Sequence, residues 1–266
     1  MPTTTLSATT TSAAARFTDR TALVTGAGSG IGRAIALAFA AEGARVVVAG
    51  RRHDPLTRTV QLIEELGGKA LAVTADVSRA ADHEALVRAA VDRFGSLDVA
   101  VNNAGVFRGG APLAELSEAD WQDQLETNVT GVFLALRAQV RRMAGQESGG
   151  AIVNVASTFG AHARVPGATA YAATKAAVAA LSRGAARDHI GDGVRINAVS
   201  PGATDTPMSL RPGETESDRA TRARTALPLG RIAATREVAA AVLYLASDDA
   251  ASVVGTDLVV DSGATA

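Results

Sequence analysis

Tyr171 and Lys175 stand four residues apart in the stretch Tyr171-Ala172-Ala173-Thr174-Lys175. Residues 168–187 around them are alanine-rich and free of proline, so one long helix is predicted there. Four residues advance a helix by about 6 Å and return to nearly the same face, so phenol and ammonium point the same way. An ammonium beside a phenol favours the phenolate and lowers the tyrosine pKa. A tyrosine tuned in this way exchanges a proton with a substrate oxygen near neutral pH. A core tyrosine and a surface lysine can share the same spacing, so the pair needs support from elsewhere in the chain.

Other residues suited to such chemistry are spread along the sequence. Residues 21–25 read as a buried strand running into Gly26-Ala27-Gly28-Ser29-Gly30-Ile31-Gly32, and then into a helix with Ile31, Ile35, Ala38 and Phe39 on one face. Strand, glycine-rich turn and helix start together cradle a pyrophosphate, because small residues admit it and free N–H groups attract it. Gly26, Ser29, Gly30, Ile31 and Gly32 are the expected contacts. The second strand ends in Gly50-Arg51-Arg52, without a carboxylate. An acid there would bind a ribose 2′-hydroxyl, whereas two arginines suit a 2′-phosphate, which guanidinium grips through paired hydrogen bonds. Solvating a loop is the plainer role for the same two arginines.

Asp76-Val77 follows the third strand, where the carboxylate either meets an adenine amine or caps the helix starting near Ser78. Asn102-Asn103-Ala104-Gly105 puts amides and a glycine at the C-terminal end of the fourth strand. Open α/β sheets bind ligands there, although a plain turn has a similar composition. Asn128 lies in a predicted helix over 119–142 among Leu125, Val129, Val132 and Phe133. Asparagine is a middling helix former, so it is expected to make a structural hydrogen bond or serve a catalytic relay. Ser157 closes the fifth strand, as a loop or cap residue or as a hydroxyl aimed at a substrate carbonyl.

The elements that must position these residues alternate along the chain. Strands are predicted at 21–25, 45–48, 70–74, 97–101, 151–155, 194–199 and 258–260, with helical patterns between them. That alternation predicts a parallel sheet covered on both faces, in one domain over 18–266. Residues 1–17 are rich in Thr, Ser and Ala and lack the apolar core of a secretory signal, so they are expected to form a disordered tail. A hydrophobic fraction of 47% suffices for a large core. Lys and Arg total 26 against 27 Asp and Glu, a balance that calls for neither nucleic acid nor a membrane surface. No cysteine is present, and four scattered histidines offer no ligand spacing, so no metal site is expected. With no apolar run near bilayer length, the expectation is a soluble, cytoplasmic protein.

Taken together, these residues resemble the short-chain dehydrogenase/reductase family. The resemblance rests on TGAGSGIG at 25–32, Asp76, NNAG at 102–105, Asn128, Ser157 and YAATK at 171–175. NAVSPGATDTPM at 197–208 and the closing VVDSG extend it over nearly everything from Arg20 to Gly263. It implies a Rossmann-like, doubly wound sheet of seven parallel strands. It also implies hydride transfer between a nicotinamide and a carbonyl or secondary alcohol. Tyr171 would be the general acid or base, and Lys175 would lower its pKa and bind the nicotinamide ribose. Ser157 would polarise the carbonyl, and Asn128 would hold a water linking Lys175 to solvent. Asn103, Ala104 and Gly105, with Pro201, Gly202, Thr204 and Thr206, would line the rest of the cofactor site. Arg51 and Arg52 tilt the expectation to an NADP(H)-dependent reductase of a ketone or 3-oxoacyl group, with an NAD(H)-dependent alcohol, sugar or steroid dehydrogenase as the alternative. A cofactor-sensing protein without turnover is disfavoured, because tyrosine and lysine are both kept.

Some positions depart from the family pattern. Ser157 precedes Tyr171 by 14 positions, one more than is usual in the family. The added residue falls within Ala161-His162-Ala163-Arg164, which brings His162 and Arg164 forward as pocket residues, beside Phe107 and Met208. Residues 208–227 are strongly charged and would cover the substrate, either as a largely solvated helix pair or as contacts to a polar or anionic substrate. Ala176, Ala179 and Ala180 are expected on an outer helix face, and the family resemblance implies a homotetramer built through the long helices.

Overall fold

Strand β1 (Thr21–Thr25) is buried along its whole length, with an apolar centre, Ala22-Leu23-Val24, between two helical layers and a threonine at each end. From β1 the chain continues through α1 (Gly30–Ala41), β2 (Arg45–Gly50), α2 (His53–Glu65), β3 (Lys69–Thr74), α3 (Ala80–Phe94) and β4 (Val99–Asn102). A second half carries α4 (Glu118–Leu125), α5 (Gly131–Met143), β5 (Gly150–Val155), the short α6 (Thr158–Ala161), α7 (Thr169–His189) and β6 (Val194–Pro201). Helices α8 (Glu216–Ala226) and α9 (Thr235–Ala246) precede the last strand, β7 (Asp257–Val260). The computed structural model describes residues 15–266, so residues 1–14 of the expected tail lie outside the described residues.

All seven strands are parallel, in the order β3-β2-β1-β4-β5-β6-β7. Alternate side chains of one strand enter opposite layers. Val24 joins Phe39, Ile35 and Val242 on the side of α1, α2 and α9, while its neighbour Leu23 joins Leu86, Ile152 and Val178 on the side of α3, α5 and α7. The chain reaches β3 at one edge and then returns to place β4 beside β1, with Val24 opposite Val101. Connections therefore diverge above the C-terminal ends of β1 and β4, and a crevice opens there.

The expected elements are present, with informative shifts. Leu97 precedes the fourth strand, and its N–H donates to Gln146 Oε1 at 3.0 Å. The single helix expected over 119–142 is interrupted by a π turn, Glu126–Thr130, between α4 and α5. Ala179, expected on an outer face, is buried, whereas Ala180 is exposed. Residues 208–227 form a 3-10 turn (Pro207–Ser209) and α8, one helix in place of a pair. No helix among the described residues is long and apolar enough to cross a membrane.

Within the stretch 1–17, Phe17 is fully buried and meets Phe39 edge-on at 4.8 Å, so the packed unit begins before residue 18. Its backbone N–H donates to Glu42 O at 3.0 Å. Phe17→Ala is expected to cost about 3–5 kcal/mol of stability in urea unfolding. A loss below about 1 kcal/mol would place this segment outside the cooperative core.

Candidate active site

The crevice is built first from the turn after β1. Gly26 sits at φ +65°, a region that disfavours any side chain. A Cβ on Gly32 would lie 2.4 Å from Gly26 O and 2.5 Å from Asn103 Nδ2, so only glycine allows α1 to start this close to the neighbouring loop. Ser29, extended and exposed, caps α1 with no side-chain bond of its own to the helix. The first turn of α1 holds no acid to repel an anion. Thr59 of α2 donates to Ala27 O at 2.9 Å and Arg33 donates to Gly28 O, so the turn is held from two sides. Rigid free amides at a helix start, with an available hydroxyl, fit a pyrophosphate.

Thr25 joins this turn to the Asn-Asn-Ala-Gly loop. Its Oγ1 accepts from the N–H groups of Asn103 and Ala104 at 3.0 and 3.1 Å, and Asn103 Nδ2 donates to Thr25 O at 2.9 Å. Farther along, Asn128 is completely buried. Its Oδ1 accepts from Val106 N–H, and its Nδ2 donates to Val106 O and Thr174 Oγ1, at 2.9, 2.9 and 3.1 Å. Thr174 in turn donates to Tyr171 O at 2.7 Å. Both amide N–H groups of Asn128 are spent on protein partners, so the side chain clamps the loop to α7. Its Oδ1 lies beside Gly105, as does Lys175 Nζ, and a Cβ on that glycine would come within 3.2 and 3.4 Å of them.

Beyond β5, Ser157 caps α6 and accepts from Phe159 N–H at 3.3 Å, with its hydroxyl turned toward Tyr171. Tyr171 is half-buried between two aromatic rings, Phe107 at 5.1 Å and Phe159 at 6.4 Å, both edge-on. Lys175 is only 4% exposed. Its Nζ donates to Val155 O at 2.7 Å and lies 5.8 Å from the Tyr171 ring centre. Burial pushes the Tyr171 phenol up to about 12, against a smaller downward pull from the Ser157 hydroxyl. Burial pushes Lys175 down to about 8. In this structure the phenol is thus raised where the lysine was expected to lower it, burial being the larger cause. At neutral pH the pair is a neutral phenol beside a cation.

At the outer end of the crevice, Arg51 and Arg52 are exposed and form no ion pair among the described residues. Asp76 does not cap the following helix, which starts at Ala80 with Arg79 as its N-cap; its Oδ1 instead accepts from Ser78 N–H and Oγ at 3.0 and 2.8 Å in the turn before it. Those bonds, then the charge of Arg51, hold its carboxyl below the usual range. On the opposite wall, the Pro201 carbonyl faces Ser157 and Thr158, and Thr204 is buried and donates to Gly202 O at 3.0 Å. Thr206 packs its methyl against Gly30, so the segment after β6 closes onto the glycine-rich turn.

The residues expected in a substrate pocket separate. Phe107 faces Tyr171. His162 instead pairs with Asp257 Oδ2 on β7 at 2.9 Å, and Arg164 donates to its own loop at Gly160 O and Ala163 O. Met208 is 55% exposed in the 3-10 turn. Most of the charge over 208–227 is spent internally. Arg219 is buried and bonds Asp205, Thr206 O and Ser209, while Arg222 grips Glu214 at 2.7 Å. The sequence reading passed over Thr25, Phe159 and Thr174. A hydroxyl ending an apolar central strand was the available signal for the first; the other two act only through contacts distant in sequence.

A family model described as Enoyl-(Acyl carrier protein) reductase matches residues 26–265. The chain is 44% identical to a cis-4-hydroxycyclohexanecarboxylate dehydrogenase of Sinomonas cyclohexanicum, over 94% of this chain and 98% of that one. It is 37% identical to a 3beta-hydroxysteroid dehydrogenase of Mediterraneibacter gnavus, over 94% and 96%. Among solved structures it resembles levodione reductase with a TM-score of 0.89 and 35% identity, covering 94% of this chain and 99% of that one.

Burial of Lys175 gives the protein a testable pH dependence. With its pKa lowered from 10.5 to about 8, the unfolded chain binds more protons than the folded one between those values. Stability therefore rises with pH across that window. Tyr171, raised from 10.0 to about 12, opposes the trend only above pH 10. Lys175→Met is expected to flatten the rise between pH about 8 and 10 in urea unfolding. Parallel profiles for wild type and variant would contradict a buried ammonium.

Proposed function

The chain belongs to the short-chain dehydrogenase/reductase family and is an oxidoreductase, and from that premise we propose that it moves a hydride between NADP(H) and a ketone or secondary alcohol. Ser157, Tyr171, Lys175 and Asn128 are the proposed catalytic set. The observation that carries the reading is the meeting, at one crevice, of the Tyr171 phenol, the Ser157 hydroxyl and the Lys175 ammonium with the anion-fitting turn after β1.

Bound along that crevice, the nicotinamide would give the hydride in reduction and take it in oxidation. In reduction, Ser157 hydrogen-bonds the substrate oxygen, and Tyr171 donates its phenolic proton to that oxygen as negative charge develops. The phenolate left behind is stabilised by Lys175. In oxidation Tyr171 takes the hydroxyl proton, and the same contacts run in reverse. Asn128 holds Val106 and Thr174, and through them the two walls on either side of Tyr171.

Phe107 and Phe159 give the substrate an apolar, ring-shaped environment beside the phenol, and the lid spends most of its charge internally. Relatives named for a hydroxycyclohexane carboxylate and a hydroxysteroid point the same way. An alicyclic ketone or ring alcohol is therefore the proposed substrate class. Those two relatives are named dehydrogenases, which favours a second reading, NAD-dependent oxidation of a ring alcohol by the same residues. The NADP(H) reading is supported by the exposed pair Arg51 and Arg52 at the end of β2. A homotetramer through α5 and α7 is proposed separately, from exposed faces that include Phe133 and Ala180.

Tyr171→Phe is expected to lower turnover of cyclohexanone-type substrates by about 10²–10⁴-fold with cofactor affinity retained. Retention of wild-type turnover would remove Tyr171 from the chemistry. Fluorescence titration with NADPH and NADH should show tighter NADPH binding that falls tenfold or more, roughly 1.5–3 kcal/mol, in Arg51→Ala. Equal or tighter NADH binding would favour the NAD-dependent reading.

A further inference from the structure

Helix α3 begins with two residues that reach back to the segment in front of it. Asp82 Oδ2 accepts from Asp76 N–H at 2.7 Å, and His83 Nε2 bonds Val77 O at 2.8 Å. His83 is 2% exposed and lies on the helix face that packs against the sheet, with Leu86 and Ala90. Burial lowers its pKa, so the imidazole is neutral. A carbonyl can only accept, and the Nε2-protonated tautomer is therefore the one present.

The ground beneath Val77 is not filled by side chains. A water-sized cavity lies there, lined among others by Val77, His83, Thr25, Asn102 and Ala104. From above, the Val77 carbonyl approaches Gly131 at the start of α5 so closely that a Cβ there would sit 3.0 Å away. The position of the Asp76–Val77 segment is thus fixed by its two ties to α3 together with the contact to Gly131.

We propose that His83 is a positioning residue that sets the adenine end of the cofactor site by holding the Val77 carbonyl. The inference rests on the reading that Asp76 and Val77 receive the adenine. His83 touches neither substrate nor cofactor, and its effect is confined to the adenine half of the crevice.

Calorimetric titration with adenosine 2′,5′-bisphosphate and with 5′-AMP tests this without turnover. His83→Leu keeps the bulk but leaves Val77 O without its donor. It is expected to weaken binding of the adenosine phosphates by about fivefold, the order of one hydrogen bond. The KM for the full cofactor should rise in step while kcat at saturation stays within twofold or so. His83→Gln, whose amide N–H reaches about as far as Nε2, should restore the affinity. If leucine at this position prevents folding, His83→Asn replaces it, being too short to reach Val77.

A leucine or asparagine variant that is less stable to heat yet binds the adenosine phosphates as wild type does would overturn the proposal and leave His83 a packing residue. Failure of the glutamine variant to rescue would overturn it as well. If the wild-type protein binds neither adenosine phosphate, the cofactor reading itself fails, an outcome distinct from equal binding by wild type and variant.

Discussion

Parallel pairing of β1 with β4 is the constraint on which the site depends. Strands laid side by side in one direction deliver their C-terminal ends to the same edge, and here they deliver Thr25 and Asn102. The connections then part, one into α1 and the other toward α4, and leave a crevice that no side chain needs to carve. Thr25 fixes its width by accepting from two backbone N–H groups of the neighbouring loop. The contact leaves almost no room between Gly26, Gly32 and Asn103. A few tenths of an ångström in that pairing would misplace both the anion-fitting turn and Gly105.

Burial governs the chemistry of the site more than pairwise charge does. Lys175 lies at the bottom of the crevice and offsets part of the cost of its desolvation through the Val155 carbonyl. Tyr171 carries a proton that burial makes it hold tightly. The π turn at Glu126–Thr130 belongs to the same design: it accommodates the fully buried Asn128 in mid-helix, where its amide reaches both Val106 and Thr174. Such turns are frequent where a helix must present a functional side chain.

A second polar network holds the helices that carry these groups. Asn102 bonds Gln139 of α5 and Asn154 of β5, and Asn154 continues to Ser182 of α7. All four side chains are buried, and the network ties both helices to the central strands. Leaving any member unpaired would cost its full desolvation, so the arrangement resists sliding of α7 against the sheet. The lid is held differently. Arg219 bonds Asp205 and Thr206 of the loop after β6 and Arg222 bonds Glu214, so the lid's charge stabilises its own position.

The sequence by itself determined a parallel sheet covered on both faces, because alternating apolar strands and amphipathic helices bury the sheet between helical layers, and the family resemblance added that it is doubly wound. It also brought forward Tyr171, Lys175, Ser157 and the glycine-rich turn as candidates, since their chemistry is written in residue type and, for the turn and the Tyr171–Lys175 pair, in local spacing. Tertiary structure alone decided what depends on distant partners. It turned the Tyr171 pKa upward, since burial is a property of everything packed around the ring. It tied His162 to Asp257, 95 residues away in the chain, and bound the lid's arginines to acids no periodic pattern identifies. Phe17 could not be assigned to the core from a run of threonines and alanines, because only the presence of Phe39 opposite gives its ring somewhere to go.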